Sequence, residues 1–277
     1  MFAPSVADAP VRLVTERGRG WAVEGFGTDR LAVLIAADEC PDPDAVLQKA
    51  GNTAVVLRGE LSFPDGPAPV CWKRVRRKTR LKRWATFVRT RRTVLTYVYA
   101  ARLRAAGVDT PRPLACTAPH RWQTERPAWL LTDWIEGTED LAIADRRLAD
   151  LPEADRLRIA GRYAAAVGET LGRLHAAGAS HRDLKPNNVL VTRLAPAGGA
   201  GRGAGREEPV RAWVIDLDAV SFPPRLTERR RRRDLARLRR GLPNVPRIAL
   251  VRFLKAYAAA ADPGSPGRWR ELAATPH

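Results

Sequence analysis

Apolar and polar positions change period along the chain, and the changes mark the elements. Two short apolar runs, Val11–Val14 and Leu31–Ile35, stand between Gly and Asp residues and predict peripheral strands of a small sheet. Lys49–Arg58 places small residues, Gly51, Asn52 and Thr53, ahead of a β-branched run and predicts a hairpin over 49–58. Leu61–Phe63, a Pro/Gly turn from Pro64 to Pro69, and Val70–Arg74 predict the next hairpin. The spacing then becomes helical over 84–106, with Phe87, Val94, Val98 and Leu103 among the apolar positions and Gly107 as the stop. Asp109–Ala115 leads into a strand, and Ala128–Ile135 is another, ending at Glu136-Gly137. Leu157, Ala160, Ala164, Val167, Leu171 and Leu174 recur every three or four residues and predict a core helix. It delivers the chain to a polar stretch and an apolar strand over 181–191. Residues 196–208, rich in Gly and Ala, read as a flexible insert joining that strand to Trp213–Ile215. Leu235 and Leu238, then Ile248, Val251, Phe253, Leu254 and Tyr257, supply two closing helices. The expected class is α+β: a strand-rich part over 1–135 with a small antiparallel sheet and one long helix, and a mainly helical part over 136–277.

Composition narrows the setting. A chain of 277 residues is long enough for one domain with a real core. It has no run of 18 apolar residues, so no spanning helix is expected. Met1-Phe2-Ala3-Pro4 does not begin a basic segment followed by an apolar core, so no signal peptide is expected. Cys40, Cys71 and Cys116 are scattered and odd in number, which points to a reducing cytosol and no metal cluster. The formal charge of +18 changes the picture most, because it calls for a polyanionic partner: nucleic acid, an anionic membrane surface or a phosphorylated substrate. The charge is clustered. One block runs from Lys73 and Arg74 through Arg76, Arg77, Lys78, Arg80, Lys82 and Arg83 to Arg92. The other holds Arg229, Arg230, Arg231, Arg232 and Arg233, then Arg237, Arg239 and Arg240. Solvated helix faces explain such runs as readily as a binding surface does.

The candidate chemistry lies in His181-Arg182-Asp183-Leu184-Lys185-Pro186-Asn187-Asn188, which fills every position of H-R-D-x-x-x-x-N and so resembles the catalytic loop of protein-kinase-like phosphotransferases. The spacing follows from the chemistry. Asp183 accepts the proton of an attacking hydroxyl, Asn188 ligates a Mg²⁺ that bridges ATP phosphates, and Lys185 steadies the transferred phosphoryl. Downstream, Trp213-Val214-Ile215-Asp216-Leu217-Asp218 carries the second metal-binding acid, Asp216, at the D-F-G position. Asp218 reads equally as a metal ligand or as a local cap. The resemblance implies ATP and Mg²⁺ as cofactors. It places Lys73, first cation after the strand from Val70, on the α/β-phosphates, and the 49–58 hairpin over them through Gly51, Asn52 and Thr53. The backbone at Asp133 and Ile135, entering a hinge at Glu136-Gly137, meets the adenine. His175 reads as structural. One position departs from the pattern: no Glu or Asp lies between Trp84 and Gly107, so the acid that pairs with the catalytic Lys in kinases is missing from its helix.

No A-P-E follows Asp218, and the chain enters the arginine-rich segment directly, which argues for a non-protein acceptor. Taken with Lys73-Arg74 after a strand, Gly107 to Pro113 before one, the arginine-rich segment ending Asp234-Leu235-Ala236-Arg237-Leu238, and Arg252-Phe253-Leu254-Lys255-Ala256-Tyr257, these features resemble the lipopolysaccharide kinase family, the Kdo and heptose kinases, over about Lys49 to Tyr257. What the resemblance implies is ATP-dependent phosphorylation of a sugar hydroxyl in the lipopolysaccharide inner core, at the cytoplasmic face of the inner membrane. The partner is then an anionic glycolipid, with Arg229 to Arg233 on acceptor phosphates or lipid headgroups. Rival readings are an atypical protein kinase and a membrane-associated pseudokinase scaffold. A nucleic-acid binder recruited by charge lacks any recognised reading motif.

Overall fold

The computed structural model describes residues 10–51, 54–75, 83–120, 122–123, 126–194 and 209–264, with backbone alone over 83–91. The turn residues Asn52 and Thr53, the basic stretch 76–82 and the insert 196–208 lie outside the described residues. Residues up to 102 together with 111–135 form one compact unit, and 103–110 with the chain from 136 onward form a second.

The first unit is a seven-stranded antiparallel sheet in the order β1-β2-β6-β7-β5-β4-β3. Its strands are β1 (Val11–Thr15), β2 (Gly18–Ala22), β3 (Val46–Ala50), β4 (Ala54–Phe63), β5 (Gly66–Val75), β6 (Pro113–Ala118) and β7 (Ala128–Asp133). Residues paired across an antiparallel ladder share a face, so the registers sort the side chains. Trp72 opposes Leu131, and both join a core with Phe26, Leu31, Leu34 and Ile35. Lys73 opposes Leu130, and Leu130 packs with Cys116 and Tyr97 on the other face.

The run Leu31–Ile35, expected as a strand, lies instead in helix α1 (Thr28–Ala36). Leu31, Leu34 and Ile35 are all buried, a spacing of i, i+3 and i+4 that one helix face satisfies and a half-buried strand does not. A five-residue apolar run read without its flanks carries no period, and the flanking Asp29 in the first turn was the better signal. Helix α2 (Arg83–Ala105) covers the opposite face and ends before Gly107, whose φ of 74° closes the turn.

The second unit opens on β8 (Thr138–Asp140) and α3 (Leu141–Ala149), neither of which the hydrophobic pattern announces. Asp140 caps α3, its carboxylate accepting from the Ile143 N–H at 2.8 Å. Helix α4 (Glu153–Ala176) buries Ile159, Ala160, Val167, Leu171 and Leu174. A three-stranded antiparallel sheet, β10-β9-β8, joins β9 (Val189–Thr192) and β10 (Ala212–Val214) to β8. Thr170 of α4 donates to the Ala212 carbonyl at 3.0 Å and fixes β10 to the core helix. Helices α5 (Glu228–Arg240) and α6 (Arg247–Ala261) close the unit.

Glycines let α6 approach α4. A Cβ at Gly168 would stand 2.5 Å from the Phe253 carbonyl oxygen, whereas one at Gly161 would meet only the end of the Arg252 side chain, 2.6 Å away. Gly168→Ala is therefore expected to push backbone apart and destabilise the protein by about 1–3 kcal/mol. Gly161→Ala should be near neutral, since Arg252 can swing and Ala gains up to about 1 kcal/mol of helix propensity. Thermal melts of the two variants check the contrast; equal melting points would contradict it.

Candidate active site

The catalytic-loop residues connect α4 to β9, and buried polar groups fix their backbone. Arg182 has a φ of 57° and Asp216 a φ of 56°, left-handed values that side chains other than Gly adopt at a cost of about 1–3 kcal/mol and only where the surroundings hold them. At Arg182 the holding group is Asp234 of α5, 1% exposed. One of its carboxylate oxygens accepts the Arg182 N–H at 2.9 Å. The other accepts the His181 N–H at 2.9 Å, the Ser180 hydroxyl at 2.9 Å and His175 Nε2 at 3.4 Å. Burial alone raises the pKa of Asp234, and the hydrogen bonds from His175, Ser180 and His181 outweigh it and hold the carboxyl below its ordinary value.

His175, 1% exposed, is the next layer of this network. Its Nδ1 stands 2.7 Å from the Tyr257 hydroxyl, and with Nε2–H given to Asp234 it accepts from that hydroxyl. Burial pushes the Tyr257 phenol up to about 12, which keeps it a neutral donor. Ser180 and Ser221 exchange two backbone hydrogen bonds of 2.9 Å, and Arg182 Nε donates to the Ala219 carbonyl at 2.7 Å. The stretch after Asp218 is thereby bonded to the loop.

The loop and the end of β10 meet twice. His181, fully buried, places Nε2 3.0 Å from the Ile215 carbonyl, which can only accept, so that nitrogen carries the proton. The Ile215 N–H donates to the Asn188 carbonyl at 3.0 Å. Asp183, Asn188 and Asp216 are thus brought into one region of the second unit. Pro186–Asn188 forms a single 3₁₀ turn, and Asn188 Nδ2 donates to the Asp183 carbonyl at 2.9 Å, which leaves Asn188 Oδ1 for a cation. Among the described residues no group of three or more His, Cys, Asp or Glu forms a self-sufficient metal site. One amide oxygen and one carboxylate fit Mg²⁺ that arrives with phosphates, since that ion keeps few protein ligands.

The Asp183 carboxylate stands between two cations. Lys185 Nζ is 3.5 Å from Oδ2, and a nitrogen of Arg237 is 3.4 Å from Oδ1. All three side chains are two-fifths to one-half exposed, so these pairs add little stability. Asp234 and Arg237 belong to the arginine-rich segment noted in the sequence, which gave neither of them a role; the signal was a lone acid amid arginines, one turn before Leu238 on the apolar side of α5. The second basic block divides in this helix. Arg231 lies near Tyr257, Arg232 pairs with Glu228 at 3.4 Å, and Arg229, Arg230 and Arg233 are exposed.

The remaining candidates belong to the first unit. Lys73 lies in β5, flanked by β4 and β7, on the face that α2 covers. That helix holds no acid, and among its described side chains Thr93 and Thr96 are buried polar groups, beside the buried Tyr97. Gly51 sits in the β3–β4 turn, its N–H donating to Ala54 at 2.9 Å. Asp133 ends β7 with its N–H on the Arg112 carbonyl at 3.0 Å, and Ile135 follows the strand.

A family model described as the lipopolysaccharide kinase (Kdo/WaaP) family matches residues 73–257, two thirds of the chain. The solved structure of WaaP in complex with acyl carrier protein superposes with a TM-score of 0.50 at 22% identity, covering 83% of this chain and 87% of that one. The BubR1 kinase domain gives a TM-score of 0.39 at 12% identity, covering 76% of this chain and 50% of that one. No curated protein matches the sequence.

Proposed function

From the premise that the chain belongs to the lipopolysaccharide kinase (Kdo/WaaP) family and is a kinase, we propose that it phosphorylates a sugar hydroxyl of the lipopolysaccharide inner core, on Kdo or heptose, with ATP as donor. The observation that carries this reading is Asp183 held between Lys185 and Arg237 on a loop fastened to α5. Asp183 orients the acceptor hydroxyl and takes its proton as the oxygen attacks the γ-phosphorus and ADP departs. Lys185 neutralises the moving phosphoryl and Lys73 binds the donor's α/β-phosphates. Asn188 and Asp216 would hold Mg²⁺, which supplies charge neutralisation on the phosphates. Gly51, with Asn52 and Thr53, covers those phosphates, and the backbone around Asp133 and Ile135 receives the adenine. The brevity of the stretch from Ala219 to Thr227, already bonded to the loop, supports a non-protein acceptor. Offered bacterial membranes and soluble protein together with γ-labelled ATP, the enzyme should label glycolipid; label confined to protein would identify an atypical protein kinase instead.

No helix among the described residues is long and apolar enough to cross a membrane. The proposed route to the glycolipid is peripheral, at the cytoplasmic face, through arginines on α5. Each Arg near an anionic surface contributes about 1 kcal/mol, so replacing Arg229, Arg230 and Arg233 together with Gln should weaken binding to anionic vesicles by roughly a hundredfold. Vesicle flotation measures this, and unchanged binding would remove the arginines from the membrane contact.

A further inference from the structure

Arg237 touches the base, yet nothing in the phosphoryl-transfer chemistry above uses it. One turn after Asp234, it reaches back to the catalytic loop, donates to the Arg182 carbonyl and faces Asp183 Oδ1 at 3.4 Å. Its side chain is 45% exposed, so it stands at the open side of the base and is not sealed beneath it. Lys185 already faces the other carboxylate oxygen, and that cation has a task once the γ-phosphoryl arrives. A second cation on the same carboxylate occupies the oxygen that an incoming hydroxyl would approach, unless something draws the guanidinium away.

The rest of the helix indicates what does. With 100° per residue, Arg230, Arg233 and Arg240 fall within about 60° of Arg237 around the α5 axis, and Arg233 and Arg230 sit about 6 and 10 Å further along it. All three are exposed, and none pairs with an acid among the described residues, whereas Arg232 pairs with Glu228. The one acid within the same arc, Asp234, is buried against the loop, so an exposed row of cations begins at Asp183 and leads away from it. A guanidinium fork binds carboxylate or phosphate with paired hydrogen bonds, so an anion on the incoming substrate competes directly with Asp183 for Arg237.

We infer that Arg237 is the acceptor-anchoring residue: the sugar offering its hydroxyl to Asp183 carries a carboxylate or phosphate close to that hydroxyl, and Arg237 binds this anion, leaving Asp183 to receive the proton. The inference rests on the kinase reading and narrows its substrate class. An acid sugar brings the charge as its own carboxylate; a neutral heptose must bring it as phosphate on itself or its neighbour.

Four acceptors separate these cases: a Kdo-bearing lipid A, its carboxyl methyl ester, a heptosylated core with phosphate beside the heptose, and the same core after phosphatase. For the wild-type enzyme, the charged member of one pair should exceed its neutral partner in kcat/KM by about 10–100-fold, the worth of a hydrogen bond to a charged group. The pair showing the difference identifies the anion as carboxylate or phosphate. In Arg237→Gln the preference should collapse, mainly through a raised acceptor KM, while Arg237→Lys recovers part of it. Calorimetric binding of MgATP to each variant reports that the fold and nucleotide site persist, and the wild-type comparison needs no variant at all. Transfer to charged and neutral acceptors at equal kcat/KM would overturn the inference while leaving the kinase reading intact. Transfer to none of the four by an enzyme that binds MgATP would overturn both.

Discussion

Asp183→Ala should lower kcat by about 10²–10⁴-fold, the range that a positioned general base contributes, with little change in the affinity for MgATP. The variant removes the carboxylate that orients the hydroxyl and frees Lys185 and Arg237 from it. Both cations are half exposed, so their release costs little stability, and the melting temperature should hold. The loop should survive as well, because it is held by the His181 and Arg182 N–H groups on Asp234 and by the His181 and Arg182 side chains on the Ile215 and Ala219 carbonyls, and not by the Asp183 side chain. Steady-state kinetics beside a thermal melt separate the two effects. A kcat within about threefold of wild type would assign the proton to another group and remove Asp183 from the chemistry.

Asp234→Asn is expected to be the most damaging single change to the fold of the second unit. Removing one member of a buried charged network costs about 3–5 kcal/mol, because the donors left behind stay buried. Here those donors are the His181 and Arg182 N–H groups, the Ser180 hydroxyl and His175. An Asn turns an NH₂ toward a site built from donors, so the shape is kept and the polarity is wrong. The left-handed Arg182 then loses the bond that holds it, and whatever folds should also turn over more slowly. Acid exposes the same dependence. Because the folded-state pKa of Asp234 is lowered, its contribution is complete above the ordinary carboxylate value near 3.9 and is lost as the pH falls through the folded value. The stability gap between wild type and variant should be flat across neutral pH and narrow only below about pH 4. Denaturant titrations at several pH values measure it, and a gap that closed between pH 6 and 8 would place the dependence on another group.

The contrast between these two acids also explains how far the sequence could be read. Asp183 and Asn188 stood out as candidates because they share one contiguous loop with a spacing that phosphoryl-transfer chemistry would dictate. Asp216 was legible because β10 leads straight into it. Asp234 and Arg237 lie more than fifty residues from the loop that they hold and flank, and in the sequence they are one acid and one base in a run of arginines. Their roles arise only when α5 turns its Asp234–Leu238 side inward. The strands pairing on either side of Lys73 followed from β-branched alternation, while Leu31–Ile35 folded as α1 because a short apolar run is decided by the surface it meets. The missing acid in α2 was visible from the sequence, but the buried hydroxyls of Thr93, Thr96 and Tyr97 came from the packing.

Phosphate transfer itself tests the central claim most directly. Purified enzyme with γ-labelled ATP and Mg²⁺ should place label on a Kdo-bearing lipid A or a deep-core lipopolysaccharide, as a phosphate ester on a core sugar located by mass spectrometry, and Asp183→Ala should slow that labelling by at least about a hundredfold. Label that reached no glycolipid, from an enzyme shown to bind MgATP, would contradict an inner-core sugar kinase.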